Sequence, residues 1–268
     1  MQDLIGLPGT SIQSISVYLL LLMLSSLRVG AFLVASPFFG SRMVPLTVRI
    51  VFSIALGLGI MSQVEFPNLN ILMGASLVPI VFQEIFVGLV CGMVLNICFA
   101  SVILAGEKIA ATSGLAFAAQ IDPTSGAQSP VISQIFQLFL LILFFSLNGH
   151  LIIFDLIFKS FELVPLGSFY EFETVVEKSL KSSNSIYSNA VIIVLPIVSI
   201  LFFMNLGIGF ITKSAPQLNL FSFGFPITML GTFIILYFSI SNLGFAFSDL
   251  IDSSLDHLMT TIESLKNG

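Results

Sequence analysis

Charge is what this chain has least of. Only 9% of its 268 residues are charged, against about 25% in soluble domains, so an ordinary soluble globule is excluded. Tryptophan is absent, and there are only two cysteines and two histidines. With so few ligands there is no HExxH or CxxC, and no P-loop or GxSxG elbow is present either. The residues offer no catalytic constellation, so no enzyme, metal or cofactor is expected. Cys91 and Cys98 stand seven apart in one apolar run, about 10 Å along a helix, which is too far to bridge. They read as small buried residues. Basic residues are also scarce: 9 Lys and Arg face 14 Asp and Glu, for a net charge of −5. A surface that binds nucleic acid must be basic, and a polybasic lipid-headgroup binder must be too, so both classes are set aside.

What the chain has instead is long apolar runs, with 56% hydrophobic residues overall. Polytopic membrane protein of all-α class is the reading that fits, with about six segments of roughly 20 residues as the capacity of this length. The runs lie at about 14–39, 44–62, 71–104, 131–158, 187–211 and 218–248. The first has no basic leader before it and exceeds an ordinary signal-peptide core, so it is expected to be retained. The third spans 34 residues with Glu84 its only charge. As a straight helix it would measure about 51 Å against a hydrocarbon core of about 30 Å, so either it bends, for which Pro79, Gly88 and Gly92 offer places, or much of it lies in protein and not in lipid. Gly88 and Gly92 also form a GxxxG, a pattern that admits close helix contact.

The polar stretches are short. Residues 159–186 are the most water-compatible; Ser168 with Glu171 fits a capping box and Glu177 with Lys181 an i, i+4 pair. A short exposed helix over 169–182, closed by Ser182–Asn184, is predicted there. The tail from Ser248 reads as another helix, with Ile251, Leu255, Leu258, Ile262 and Leu265 as one apolar stripe and acidic residues off it. An acidic polar face suits packing on protein better than a membrane surface. Basic residues divide four against four between alternate connections, so the positive-inside rule fixes no orientation.

Charges inside apolar runs are functional candidates by default. Arg28, Glu84 and Asp155 qualify, and Arg28 with Glu84 reads first as an interhelical ion pair. His150, directly after Asn148–Gly149, reads as a cap or hydrogen-bonding group at a helix irregularity. The most informative stretch is SVILAGEKIAATSGLAFAAQIDPTSGAQSPVIS (101–133), where the apolar pattern gives way to Gly, Ser, Thr, Pro and Asp with little charge. Such backbone at membrane depth is tolerated only inside protein or along a water-filled cavity. A loop lining or plugging a passage is the expectation.

Four stretches in order carry a family resemblance: RVGAFLVASPFFGSRMVPLTVRI (28–50), AGEKIAATSGLAFAAQIDPTSGAQSPVIS (105–133), NGHLIIFDLIFKSFELVPLG (148–167) and GFITKSAPQLNLFSFGFP (209–226). Together they resemble the FliR family, flagellar biosynthetic proteins of the bacterial type III export gate. The Asn148–Gly149–His150 triplet is closer to that branch than to the injectisome branch, SctT. The resemblance implies one subunit, with FliP and FliQ, in a spiral hetero-oligomer of kinked helices that stands largely above the inner-membrane plane at the flagellar basal body, with FlhB as neighbour. Unfolded flagellar proteins are the implied cargo. It also implies a FliP-like part at about 1–185 and a FliQ-like hairpin at about 186–268. A plug loop would run over 106–128: Gly106 and Glu107 begin it, Gly114, Leu115 and Phe117 block the lumen, and Asp122, Pro123, Gly126 and Gln128 make the return turn. Pro216, Gln217 and Asn219 would turn the hairpin against neighbouring subunits. A solitary transporter fits less well, because one broken region and no internal repeat are present.

Overall fold

The computed structural model describes residues 12–41, 44–61, 77–115, 130–166, 172–215, 217 and 223–266. Seven helices cover most of them: α1 Ile12–Ala35, α2 Leu46–Met61, α3 Leu77–Ser113, α4 Val131–Ser146, α5 Gly149–Leu163, α6 Phe172–Ser214 and α7 Phe225–Lys266. There is no strand among the described residues. The protein is all-α, and α1, α3, α6 and α7 are each long and apolar enough to cross a membrane. The bent α4–α5 pair counts as a fifth span if its two halves are taken together.

Three helices differ from the expected segments, each for a local reason. The third does not bend apart: α3 runs unbroken for 37 residues, about 55 Å. Pro79 falls in its first turn, where a missing amide costs nothing. The glycines serve packing, as shown below. The expected helix over 169–182 is no separate element either. Between Gly167 and Pro196 the chain has no Gly or Pro, and Ser182–Asn184 alone do not stop a helix, so α6 continues for 43 residues. Its early side chains Val176, Glu177 and Leu180 are exposed, as the polar composition requires. Likewise the tail from Ser248 is the second half of α7. Its stripe does not await another protein: Ile251, Leu255, Leu258 and Ile262 are all buried within this chain.

The run 131–158 breaks in two. Asn148 takes φ 56, the left-handed conformation that ends helices, and Leu147 N–H donates to the Leu143 carbonyl while Asn148 N–H donates to that of Phe145. A Cβ on Gly149 would sit 2.5 Å from Phe144 Cε2, so only glycine lets the chain restart under that ring. The two halves are bent by 67°.

Two compact units emerge. The first holds residues 1–96, 152–180 and 256–268. Inside it α1 packs on α2 through small residues: Ser25 Oγ donates to the Gly57 carbonyl at 3.3 Å, and Gly30 faces Ser53. Phe39, Phe52 and Phe154 form an aromatic cluster, with Phe39–Phe52 and Phe52–Phe154 centroids both 5.7 Å apart. The second unit holds residues 97–151 and 181–255. Edge-to-face pairs build its core, Phe99 on Phe144 at 6.0 Å and Phe136 on Phe247 at 5.5 Å.

Candidate functional site

Two polar centres interrupt this apolar frame, one in each unit. In the first, Gly88 and Gly92 of α3 lie against α1. A Cβ on Gly88 would come within 2.2 Å of the Arg28 carbonyl, and one on Gly92 within 2.6 Å of Ala35 Cβ. The GxxxG therefore does what its pattern allows and brings two backbones together. One turn before Gly88, Glu84 meets Arg28. Arg28 Nε donates to Glu84 Oε2 at 2.7 Å and Nη2 to Oε1 at 3.0 Å, a bidentate pair. Nη1 reaches the Ser160 carbonyl at 2.8 Å and its Oγ at 3.1 Å, and Nη2 reaches the Val164 carbonyl at 3.0 Å. The guanidinium also lies 3.9 Å over the Phe161 ring.

All five N–H donors of a guanidinium are thus engaged. Arg28 is 1% and Glu84 2% exposed. The centre joins α1, α3 and the C-terminal end of α5, where the helix dipole welcomes a cation. With all five donors occupied and both side chains buried, the pair ties these helices together. Asp155, grouped with these two in the sequence, is different: it pairs with Lys159 four residues on at 2.8 Å, both half-exposed. His150 does not cap the irregularity either. Its ring lies 5.1 Å from that of Phe145, and its Nδ1 has no hydrogen-bond partner, because Asn148 and Gly149 already make the break.

The second centre is the C-terminal end of α3. Gly106 and Glu107, expected to open the loop, are helical. Gly106 presses on α4, where a Cβ would fall 2.6 Å from Ser133 Cα, and that contact carries the helix two turns further. The helix ends at Ser113. Its orphan carbonyls find partners on the two later helices: Asn205 Nδ2 donates to the Thr112 carbonyl at 2.8 Å and Thr228 Oγ1 to that of Ser113 at 2.9 Å. Gly114 then turns at φ +82 directly under Phe225, whose Cδ1 would be 2.6 Å from any Cβ there. Leu115 N–H donates to Ser113 Oγ at 3.4 Å. Phe117, Asp122, Pro123, Gly126 and Gln128 lie outside the described residues, as do Pro216 and Asn219. Gln217 is described and exposed.

Asn205 and Thr228 were missed by sequence reasoning. A lone amide, Asn205, within the apolar stretch 190–211 was the available signal. Ser160, Phe161 and Val164 were missed as well, and Val164 and one Ser160 contact act through backbone carbonyls, which no residue type announces.

An unbroken helix pinned at its end to two later helices is a scaffold arrangement, and among the described residues no catalytic group stands at its focus. Comparison with known proteins decides what it scaffolds. Residues 19–254 match the bacterial export proteins, family 1. The chain belongs to that family, the FliR family. The flagellar biosynthetic protein FliR of Bacillus subtilis strain 168 is 33% identical over 213 residues, covering 78% of this chain and 82% of its own. FliR of Escherichia coli K12 is 30% identical over 203 residues, 76% of this chain and 77% of its own. The surface presentation of antigens protein SpaR of Shigella sonnei is 27% identical over 241 residues, 87% and 90% of the two chains. This FliR-family chain is a multi-pass membrane protein of the type III export apparatus for flagellar biosynthesis.

Proposed function

We propose that the chain forms part of the wall of the flagellar export gate and carries its stopper. It would work in the bacterial inner membrane beside FliP, FliQ and FlhB, and unfolded flagellar proteins would pass through the gate they build together. Residues 1–185 serve as the FliP-like part and 186–268 as the FliQ-like hairpin. The work is mechanical; no bond in the cargo is made or broken. The observation that carries this reading is the anchored end of α3. A stopper must yield to cargo while its root stays fixed, and Asn205, Thr228 and the Gly114 turn fix the root just before Leu115. Gly114, Leu115 and Phe117 would then close the passage, and Asp122, Pro123, Gly126 and Gln128 would return the chain. Small residues in such a loop give a sliding polypeptide little apolar surface to hold. Pro216, Gln217 and Asn219 turn towards a neighbouring subunit.

Purification through a tag on this chain tests the assembly. Copurification with FliP and FliQ is expected; a stable solitary protein that moves a small solute contradicts it. Restoring motility to a strain lacking FliR distinguishes the flagellar cargo from that of an SctT-type system.

A further inference from the structure

Two later helices hold the end of α3, and the two holds differ in kind. Asn205 of α6 donates through Nδ2 to the Thr112 carbonyl at 2.8 Å and makes no second hydrogen bond among the described residues. The first turn of α7 holds the same end through Phe225 and Thr228. We infer that the α7 contact is a releasable clasp. Phe225 and Thr228 are its positioning residues and set the turn at Gly114, while Asn205 keeps α3 in place whether the clasp is shut or open. The inference rests on the reading of this helix end as the root of a stopper, and adds how that root is released.

The hydroxyl of Thr228 has one proton to donate. Its Oγ1 stands 2.9 Å from the Ser113 carbonyl of α3 and 3.0 Å from the Phe225 carbonyl of its own helix. Thr228 is 2% exposed, and a donor so buried is costly to leave without an acceptor. Here the proton can pass from the carbonyl of α3 to that of α7 and never be stranded. The bond between the helices therefore opens more readily than its burial suggests. The Ser113 carbonyl left behind belongs to a helix end, where water can serve in place of a protein donor.

Phe225 adds a contact that is equally easy to withdraw. Gly114 turns at φ +82, and a Cβ there would fall 2.6 Å from Phe225 Cδ1 and 3.0 Å from Cε1. The ring edge thus occupies the space that a side chain at 114 would fill. It rests on the backbone by dispersion, which a gap of about 1 Å reduces by roughly half. Phe225 and Thr228 are three residues apart and share a face of α7, so a small rotation of that turn withdraws both. The ring is half-buried and has open space on its far side. Torsion and ring together admit only glycine at 114 while the clasp is shut.

Fluorine NMR of the assembled export complex, with para-fluorophenylalanine at position 225 alone, reads the ring. One main signal is expected in the wild type. Gly114→Ala, whose methyl takes the place of the ring, should move most of the intensity to a second signal. Thr228→Val should populate both signals, and Thr228→Ser should match the wild type. Amide exchange at Gly114 and Leu115 should quicken about fivefold in Thr228→Val, the worth of one hydrogen bond, with Ala110–Thr112 unchanged. Asn205→Leu should quicken exchange at Ala110–Thr112 as well. Phe225→Ala, read by exchange at 114–115, serves if Gly114→Ala does not assemble. A ring signal that no variant moves overturns the inference, as does unaltered exchange at 114–115 or the same exchange pattern in Thr228→Val and Asn205→Leu. Ion conductance separates the clasp from the stopper. A moved ring and faster exchange in a complex that stays ion-tight uphold the clasp and count against the stopper; a fixed ring in a complex that leaks only when residues 116–124 are deleted strikes the clasp alone.

Discussion

Arg28 shows how one side chain organises the first unit. Its five donors meet a carboxylate, a hydroxyl and two carbonyls away from water, so removing one partner strands the others. Arg28→Met alone should cost about 3–5 kcal/mol, the usual loss when half of a buried pair goes. The double change Arg28→Met with Glu84→Met should recover much of that, because an apolar pair of similar volume leaves no stranded charge. Thermal melting of the purified protein measures both; equal losses in the single and double variants would contradict the account. Glycines give a second contrast. Gly88→Leu drives a side chain into the Arg28 carbonyl and should prevent folding, whereas Gly207→Ala meets nothing within 4 Å in the interior of α6 and should hold or raise the melting temperature. Arg28 and Glu84 were readable as a pair because lone charges in apolar runs seek one another. The contact through the Val164 carbonyl was not readable, since any residue supplies a carbonyl.

The helices teach a different lesson about what composition announces. The Asn–Gly pair at 148–149 sits between two apolar runs, and pattern alone read 131–158 as one segment with an irregularity there that His150 caps or hydrogen-bonds. The structure places the break in the backbone: Asn148 adopts a conformation that costs most residues about 1–2 kcal/mol. Asn148→Gly should therefore hold or raise the melting temperature and Asn148→Val lower it, a comparison that opposite signs would refute. Serines and an asparagine at 182–184 misled in the other direction, because weak helix formers without Gly or Pro do not interrupt a helix whose later turns are apolar. The end of α3 was misjudged by two turns because Gly106 looks like a breaker until its contact with α4 is known. Asn205→Leu with Thr228→Val removes both side-chain bonds to α3's last carbonyls, each worth about 1 kcal/mol. Amide hydrogen exchange at 110–115 should accelerate in that variant while exchange in α1 and α2 stays unchanged; unaltered protection at 110–115 would show that the two bonds anchor nothing.

Taken as a molecule, the chain leaves much apolar surface uncovered. Phe203 and Phe210 of α6 and Tyr237, Phe238 and Phe245 of α7 are all exposed, and contiguous apolar surface of this kind is covered in the native setting by lipid or by other subunits. An export-gate subunit, whose neighbours supply that cover, accounts for it. The all-α class, the multi-pass character and the family were within reach of composition and four ordered stretches of sequence. The full length of α3 was not, because it depends on a contact between residues far apart in the chain, Gly106 against Ser133, and α6 and α7 run on through polar turns that composition alone sets apart. The claim on which the account rests is that the segment after Leu115 closes a passage rooted at the end of α3. Ion conductance across planar bilayers holding the assembled export complex, with and without residues 116–124 of this chain, tests it most directly. The account predicts a closed wild-type complex and a steady ion leak through the deletion variant; a deletion complex as tight as the wild type, with its subunits all present, would contradict it.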